Sequence, residues 1–217
     1  MNITIPLWPD PASPDGQTLF TRARKLHALY RAAGHPNPFA FGMLGCAEGE
    51  NEDLDPNGMG DYVDEAGKRL SWAPHPVGTP TSFGLYQRKE ARTVAIRDGH
   101  KTADGRITAP GLGIDIKALV LAGQNTLENE VRATLWEFAT FPLGYGAAAI
   151  TARRSAYGVA MSATISFEKA GTVSNGEAER RGTMAETWVL IASGIWPPSR
   201  GPKPDGWEAL SEGWANN

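Results

Sequence analysis

The 217-residue chain has one cysteine, Cys46, which excludes an intrachain disulfide and any zinc site built on paired cysteines. Its four histidines, His27, His35, His75 and His100, show no metal-ligand spacing, so no structural metal and no cofactor is expected. Positive charge is short as well. The 21 Lys and Arg residues are outnumbered by 24 Asp and Glu, for a formal net charge of -3. Nucleic-acid binding rests on clustered cations that neutralise phosphates, so no nucleic-acid partner is expected. No window approaches the roughly 18 apolar residues that cross a bilayer, and the opening MNITIPLWPDPASPDG lacks the basic and apolar stretches of a secretory signal. These absences read as a chain made in the cytoplasm without a signal peptide and with no membrane partner.

What is present is 41% hydrophobic residues, enough for one substantial core. Residues 1–14 are proline-rich and read as an extended segment. Ser13 or Asp15 then caps a helix through QTLFTRARKLHALYRAAG, with Leu19, Ala23, Leu26 and Tyr30 on one face and Gly34 at its end. Asn37-Pro38 starts a second helix over roughly 38–50, PFAFGMLGCAEGE. Glycines at 42, 45 and 49 would each cost about 1 kcal/mol in an exposed helix, which predicts a buried one with something packed against its backbone. Between Asn51 and Gly113 turn dipeptides dominate, and long helices do not fit. A short hairpin does, with Tyr62-Val63 and Leu70-Ser71-Trp72 flanking the turn DEAGKR. Helical periodicity returns in three stretches, 115–140, 146–170 and 175–194. The segment 196–217, with four prolines and three tryptophans, reads as a strap over a domain spanning 15–195.

The second helix ends in Glu48-Gly49-Glu50. A glutamate that closes a buried helix is poorly solvated, which favours the protonated form a general acid needs; the plain alternative is a solvated surface carboxylate. Asp53, Asp55, Asp61, Asp64 and Glu65 follow. Pro56 and the lack of a glutamate at the twelfth position exclude an EF-hand loop. Gly60-Asp61 is a loop carboxylate, readable as a second catalytic group or as a turn aspartate bonded to its own backbone. Ser82-Phe83-Gly84-Leu85-Tyr86-Gln87 mixes glycine, aromatics and an amide, a combination suited to stacking on sugar rings and bonding an N-acetyl group.

Taken in order, a helix-terminal glutamate, then Pro56-Asn57-Gly58 leading to Gly60-Asp61, then Gly84-Leu85-Tyr86-Gln87, resembles the lysozyme and lytic transglycosylase superfamily, and within it the phage tail lysozymes. Leu135-Trp136-Glu137-Phe138 is similar to the family's aromatic-Glu-Leu helix. Ser166-Phe167-Glu168-Lys169 is similar to its Phe-Glu-Arg-Pro segment, with Glu179-Arg180-Arg181 and Ala185 following. The likeness spans roughly residues 15–192. Asn51 and Glu52-Asp53 stand where the family has Ser-Gly, which leaves Glu48 as a rival acid, and Lys169-Ala170 stand for Arg-Pro.

The resemblance implies a mainly α, bilobed lysozyme-like domain with a small β-hairpin and loop lobe. It implies a peptidoglycan glycan strand as substrate and cleavage of the β-1,4 bond after N-acetylmuramic acid. Glu50 would be the general acid, Asp61 would orient water, and Ser82, Tyr86 and Gln87 would bind the glycan. Attack by the sugar's own 6-hydroxyl would instead make it a lytic transglycosylase. Glu168 is expected to be structural, through a salt bridge to Arg180 or Arg181, and Trp72 and Trp136 are expected to be core more than subsite walls. Phage tail proteins are candidate partners, and the cell wall is the place of action, reached with the virion or at lysis. A glycan-binding tail module that does not cut, or an injected antibacterial effector, are the other readings.

Overall fold

A computed structural model of the chain describes residues 5–68, 70, 78–140, 146–168, 176–212 and 214. It is mainly helical with small antiparallel sheets, as the periodicity predicts. The chain divides into two compact units, Met1–Leu54 with Phe141–Asn217, and Asp55–Thr140.

The first unit is helical. Helix α1 (Pro14–Ala32) is capped by Ser13, whose hydroxyl accepts from Gly16 N, with Pro14 at the first position. It buries Leu19, Ala23, Leu26 and Tyr30. Gly34, at φ +88°, closes it in a Schellman motif, with Gly34 N donating to Arg31 O and His35 N to Tyr30 O. Helix α2 (Asn37–Glu50) begins one residue earlier than the sequence suggests, with Pro36 as its cap and no side-chain capping bond. It is buried from Phe39 to Glu48. Two further helices, α7 (Ala156–Ala163) and α8 (Glu177–Ala192), pack against it. A Cβ on Gly42 would lie 2.3 Å from Val159 of α7, and one on Gly45 would lie 2.5 Å from the Ala185 backbone of α8. The α2 glycines thus serve the close approach that their number predicts.

The second unit contains the sheet β1 (Met59–Gly60), β2 (Ser82–Phe83) and β3 (Arg88–Lys89), paired antiparallel in that order, with Gly60 opposite Ser82 and Ser82 opposite Lys89. The predicted hairpin survives in part. Leu70 N donates to Tyr62 O, and Asp64 Oδ1 accepts from Ala66 N and Lys68 N across the turn, while Val63 bridges to Thr79. Trp72 lies outside the described residues. Among the turns of this stretch, where no long helix is expected, the structure adds a nine-residue helix, α3 (Glu90–Asp98), that the turn signals did not indicate. It ends at Gly99, and a two-stranded ribbon follows, β4 (His100–Lys101) with β5 (Ile107–Ala109). One apolar cluster of this unit comprises Phe83, Ile96, Ile114, Ile116, Val120 and Ala133.

Each of the first two long helical stretches is divided. The first becomes α4 (Ile116–Leu121) and α5 (Leu127–Thr140), broken where Gly123 takes φ +67°. The second becomes α6 (Ala147–Thr151) and α7, because the Ser155 hydroxyl accepts from Gly158 N and starts a new helix. A π turn (Thr164–Glu168) continues α7. In the C-terminal segment a 3-10 turn (Pro198–Arg200) precedes α9 (Glu208–Glu212), and Trp207 and Trp214 are buried. Trp214 faces His27, Phe41 and Trp188.

Candidate functional site

The two glutamates that end α2 have opposite surroundings. Glu48 is 1% exposed. Its Oε1 accepts from Trp8 Nε1 at 3.0 Å, and its Oε2 accepts from Trp188 Nε1 at 2.7 Å and from Arg200 Nη2 at 2.8 Å. Arg200 Nη1 lies 2.6 Å from Oε1, and the guanidinium is stacked 4.2 Å over the Trp8 ring. Every lone-pair direction of this carboxylate is used, as a buried charge requires. Glu48 is therefore a structural anchor that ties the segment before α1 and the C-terminal turn to α2.

Glu50 sits two residues on, with 19% of its side chain exposed. Its Oε1 accepts from Arg181 Nη2 at 2.6 Å. Arg181 lies in α8, 131 residues away, and its side chain crosses α2 at Gly49, where a Cβ would stand 2.5 Å from Arg181 Cγ. A glycine is needed there for the guanidinium to reach Glu50. Arg181 also donates to Glu177 Oε1 at 2.6 Å, and Arg180 binds both Glu177 oxygens at 2.7 Å. Burial works against the Arg181 charge, but Cys46, Glu50 and Glu177 around it more than restore the balance, and it stays firmly protonated. Burial likewise opposes the Glu177 charge, yet its bonds to Arg180 and Arg181 hold it below the usual glutamate range.

The Glu50 carboxylate, expected to be poorly solvated at the end of a buried helix, is half-buried and ion-paired with Arg181. The Glu168 side chain, expected to pair with Arg180 or Arg181, lies outside the described residues.

In the second unit the sheet brings together the motif residues that the sequence keeps over twenty positions apart. Ser82 Oγ donates to Gln87 Oε1 at 2.8 Å, and Gln87 Nε2 donates to Gly84 O at 3.0 Å. A Cβ on Gly60 would lie 2.2 Å from Gln87 Oε1 and 3.1 Å from Ser82 Oγ, so glycine at 60 leaves room for that bond. Asp61 and Gln87 both have left-handed backbones, at φ +49° and +45°. Such strain in non-glycine residues gathers at functional loops and is held by its surroundings. Here the Thr81 hydroxyl donates to Asp61 O at 2.5 Å and Gln87 N to Gly84 O at 3.1 Å. The Asp61 carboxylate forms an ion pair with Lys89.

Ser82 and Tyr86 are both fully buried. The Tyr86 ring lies 5.3 Å under the Arg88 guanidinium and does not line a surface, contrary to the stacking role expected of it. Trp136 is half-buried; its Nε1 donates to Pro110 O and its ring stacks on His100 at 4.9 Å.

Beneath this loop lies an ionic cluster. Arg88, fully buried, donates to Glu137 at 2.9 Å and Thr134 at 2.7 Å, and pairs with Glu130. Arg92 adds a bond to Glu137 at 2.7 Å. Burial pushes the Glu130 carboxyl up against the pull of Arg88. For Glu137 burial acts the same way, but Arg88 and Arg92 together bring it below its ordinary value. Asn125 joins the cluster to the Pro56-Asn57 loop by donating to Glu130 Oε1 at 2.5 Å and to Pro56 O at 2.7 Å.

Among the described residues no group of three metal-ligating side chains occurs, and no helix is long and apolar enough to cross a membrane. Arg181, Lys89 and the Arg88 cluster are the functional-site neighbours that sequence reasoning missed. Their partners are 28 to 131 residues distant, and no local pattern announces them. Set beside protein-family models, curated proteins and solved structures, the chain matches none.

Proposed function

We propose that the chain is a peptidoglycan glycosidase of lysozyme-like fold that cleaves the β-1,4 bond after N-acetylmuramic acid, with Glu50 as general acid. The observation that carries this reading is the contrast at the end of α2. Glu48 is saturated by two indoles and a guanidinium, whereas Glu50 keeps 19% of its side chain open to solvent. The order of sequence motifs supports it, as does the convergence of Gly60, Ser82 and Gln87 around one hydrogen bond.

In this reaction Glu50 protonates the leaving glycosidic oxygen, and water meets the oxocarbenium-like state. An ion-paired carboxylate has no proton to give, so the acid role requires the Glu50–Arg181 pair to loosen. Glu177, bound to the same guanidinium, keeps Arg181 partnered when it does. Because the substrate is the cell wall, we propose delivery with a phage tail or release at lysis.

One observation favours a second reading. The Glu50–Arg181 ion pair is what a non-catalytic glycan-binding module would also keep, since binding without cleavage needs no acid. Mass spectrometry of fragments released from purified peptidoglycan by wild type and by Glu50→Gln separates the two. The glycosidase gives reducing-end muropeptides, and the variant loses about 10²- to 10⁴-fold in rate, the range for a general acid. Ends carrying 1,6-anhydro sugars would make it a lytic transglycosylase. Folded wild-type protein that binds the wall and releases nothing is the binding module.

A further inference from the structure

Within Ser82–Arg88 only Gln87 is half-buried, and the rest are buried. Its amide is therefore the one side-chain group that this segment offers to a ligand. Gly84 fixes that amide. The Gly84 carbonyl accepts from Gln87 Nε2 at 3.0 Å and from Gln87 N at 3.1 Å, and Gly84 N donates to Gly58 O at 2.8 Å. One residue thus joins the turn that carries Gln87 to the loop that leads to Asp61.

Gly84 is in turn seated on Glu130. Its backbone is left-handed, at φ +80°, and a Cβ there would lie 2.2 Å from Glu130 Oε1, so the fully buried carboxylate fills the space where a side chain would stand. The two oxygens of Glu130 serve different segments. Oε2 pairs with Arg88, the residue after Gln87. Oε1 accepts from Asn125 Nδ2 at 2.5 Å, and the same amide donates to Pro56 O at 2.7 Å. Asn125 and Asn57 add a reciprocal link, with Asn125 N donating to Asn57 Oδ1 at 2.8 Å and Asn57 Nδ2 to Asn125 O at 3.3 Å. A carboxylate presents an acceptor on both sides and an amide on only one. Glutamine at 130 can therefore satisfy Arg88 or Asn125, but not both.

We propose that Glu130 is the positioning residue for glycan recognition by Gln87: its carboxylate holds the Pro56–Gly60 loop and the Gly84–Gln87 turn in one arrangement, with the Gln87 amide set to bond an N-acetyl group of the strand. A group held in its bound geometry before the ligand arrives costs less to order on binding, so the effect appears in affinity. The inference rests on the glycan reading of this loop, and it concerns binding and not the acid step at Glu50.

The test uses the full chain labelled with nitrogen-15, a soluble β-1,4-linked oligomer of N-acetylglucosamine as probe, and the variants Glu130→Gln and Asn125→Ala. The side-chain NH2 signals of Gln87, assigned by their loss in Gln87→Ala, are recorded by NMR without and then with the oligomer. In the free protein both variants should displace these signals. Wild type should show a saturable shift there, and both variants should bind about tenfold more weakly, the loss of about one well-placed hydrogen bond. The maximal rate of muropeptide release should stay within about twofold of wild type, since binding alone is altered. A merely structural role would lower stability in a urea melt and leave the Gln87 signals of the folded protein in place. The proposal is overturned if those signals coincide in wild type and variants, or if the oligomer binds the variants as tightly as wild type. Displaced signals in a protein that shows no saturable shift with the oligomer would instead sink the glycan reading and keep Glu130 as the residue that positions Gln87. Asn125→Ala leaves the Glu130–Arg88 pair in place, so it decides the matter if Glu130→Gln fails to fold.

Discussion

In the helical unit, apart from the buried Glu48–Arg200 ion pair, the interior is made by backbones that touch. Gly42 and Gly45 let α2 lie against α7 and α8, and aromatic side chains such as Trp8, Phe20 and Trp188 fill what is left. In the unit spanning Asp55–Thr140 the fully buried Arg88, Glu130 and Glu137 occupy interior space that side chains such as leucine would fill elsewhere. The two designs fail differently. A packed apolar interior loses stability in proportion to misfit, whereas a buried ionic cluster tolerates nothing missing, because each removed partner leaves a charge with no solvent.

The largest expected effect follows from that difference. Arg88→Met should lower stability by about 3–5 kcal/mol, the usual result of stranding buried carboxylates, here Glu130 and Glu137. Hydrogen exchange should show the loss in residues 55–140 first. If Arg88→Met costs less than about 1 kcal/mol in a urea melt, the cluster is solvated and the contrast between the units fails. Gly45→Ala, in the helical unit, sets the added methyl 2.5 Å from Ala185 N. Backbone has to move, and overpacking of this kind costs about 1–3 kcal/mol. A neutral outcome would mean that α2 and α8 separate more easily than their contact suggests.

Much of the helical unit was legible from sequence because its causes are local. Ser13, Pro14 and Gly34 mark the ends of α1, and glycines at a spacing of three and four residues in an apolar run predict a helix buried by close contact. Helix α3 was not legible, because Glu90–Asp98 buries only Thr93 and Ile96 and so has too weak an apolar stripe to show between turn-forming stretches. The breaks at Gly123 and Ser155 were missed for the opposite reason, since periodicity persists across them. At the candidate site, the acid helix end and the Gly60–Gln87 loop could be read from motif order. What surrounds them could not. The choice between Glu48 and Glu50 depends on Trp8, Trp188, Arg200 and Arg181, which only the tertiary fold brings near.

A smaller effect comes from pH. Burial lowers the folded-state pKa of His27 from 6.5 to about 4, so between those values the unfolded chain binds the proton and the folded one does not. Stability therefore falls as pH falls through that window. The melting temperature should drop by a few degrees between pH 6.5 and 4, and His27→Phe should flatten the upper part of the decline, above the range where carboxylates titrate. An unchanged slope would show that His27 meets water in the folded state.

The smallest effect tests the comparison within a single strand. Arg88 and Lys89 are neighbours in β3, each paired with a carboxylate, but the Arg88 side chain is fully buried and that of Lys89 is 56% exposed. Exposed pairs contribute about 0–1 kcal/mol, because water screens them and two flexible side chains must be ordered. Lys89→Ala should thus leave the stability read from a urea melt nearly unchanged, where Arg88→Met lowers it by about 3–5 kcal/mol. The same substitution removes the Lys89 partner of the Asp61 carboxylate, whose backbone is held at φ +49°. If Asp61 orients water for the proposed cleavage, Lys89→Ala changes the rate of muropeptide release with stability unaltered. A rate equal to wild type would instead assign the Asp61–Lys89 pair to loop geometry alone, and the proposed reaction would then rest on Glu50 without a second carboxylate.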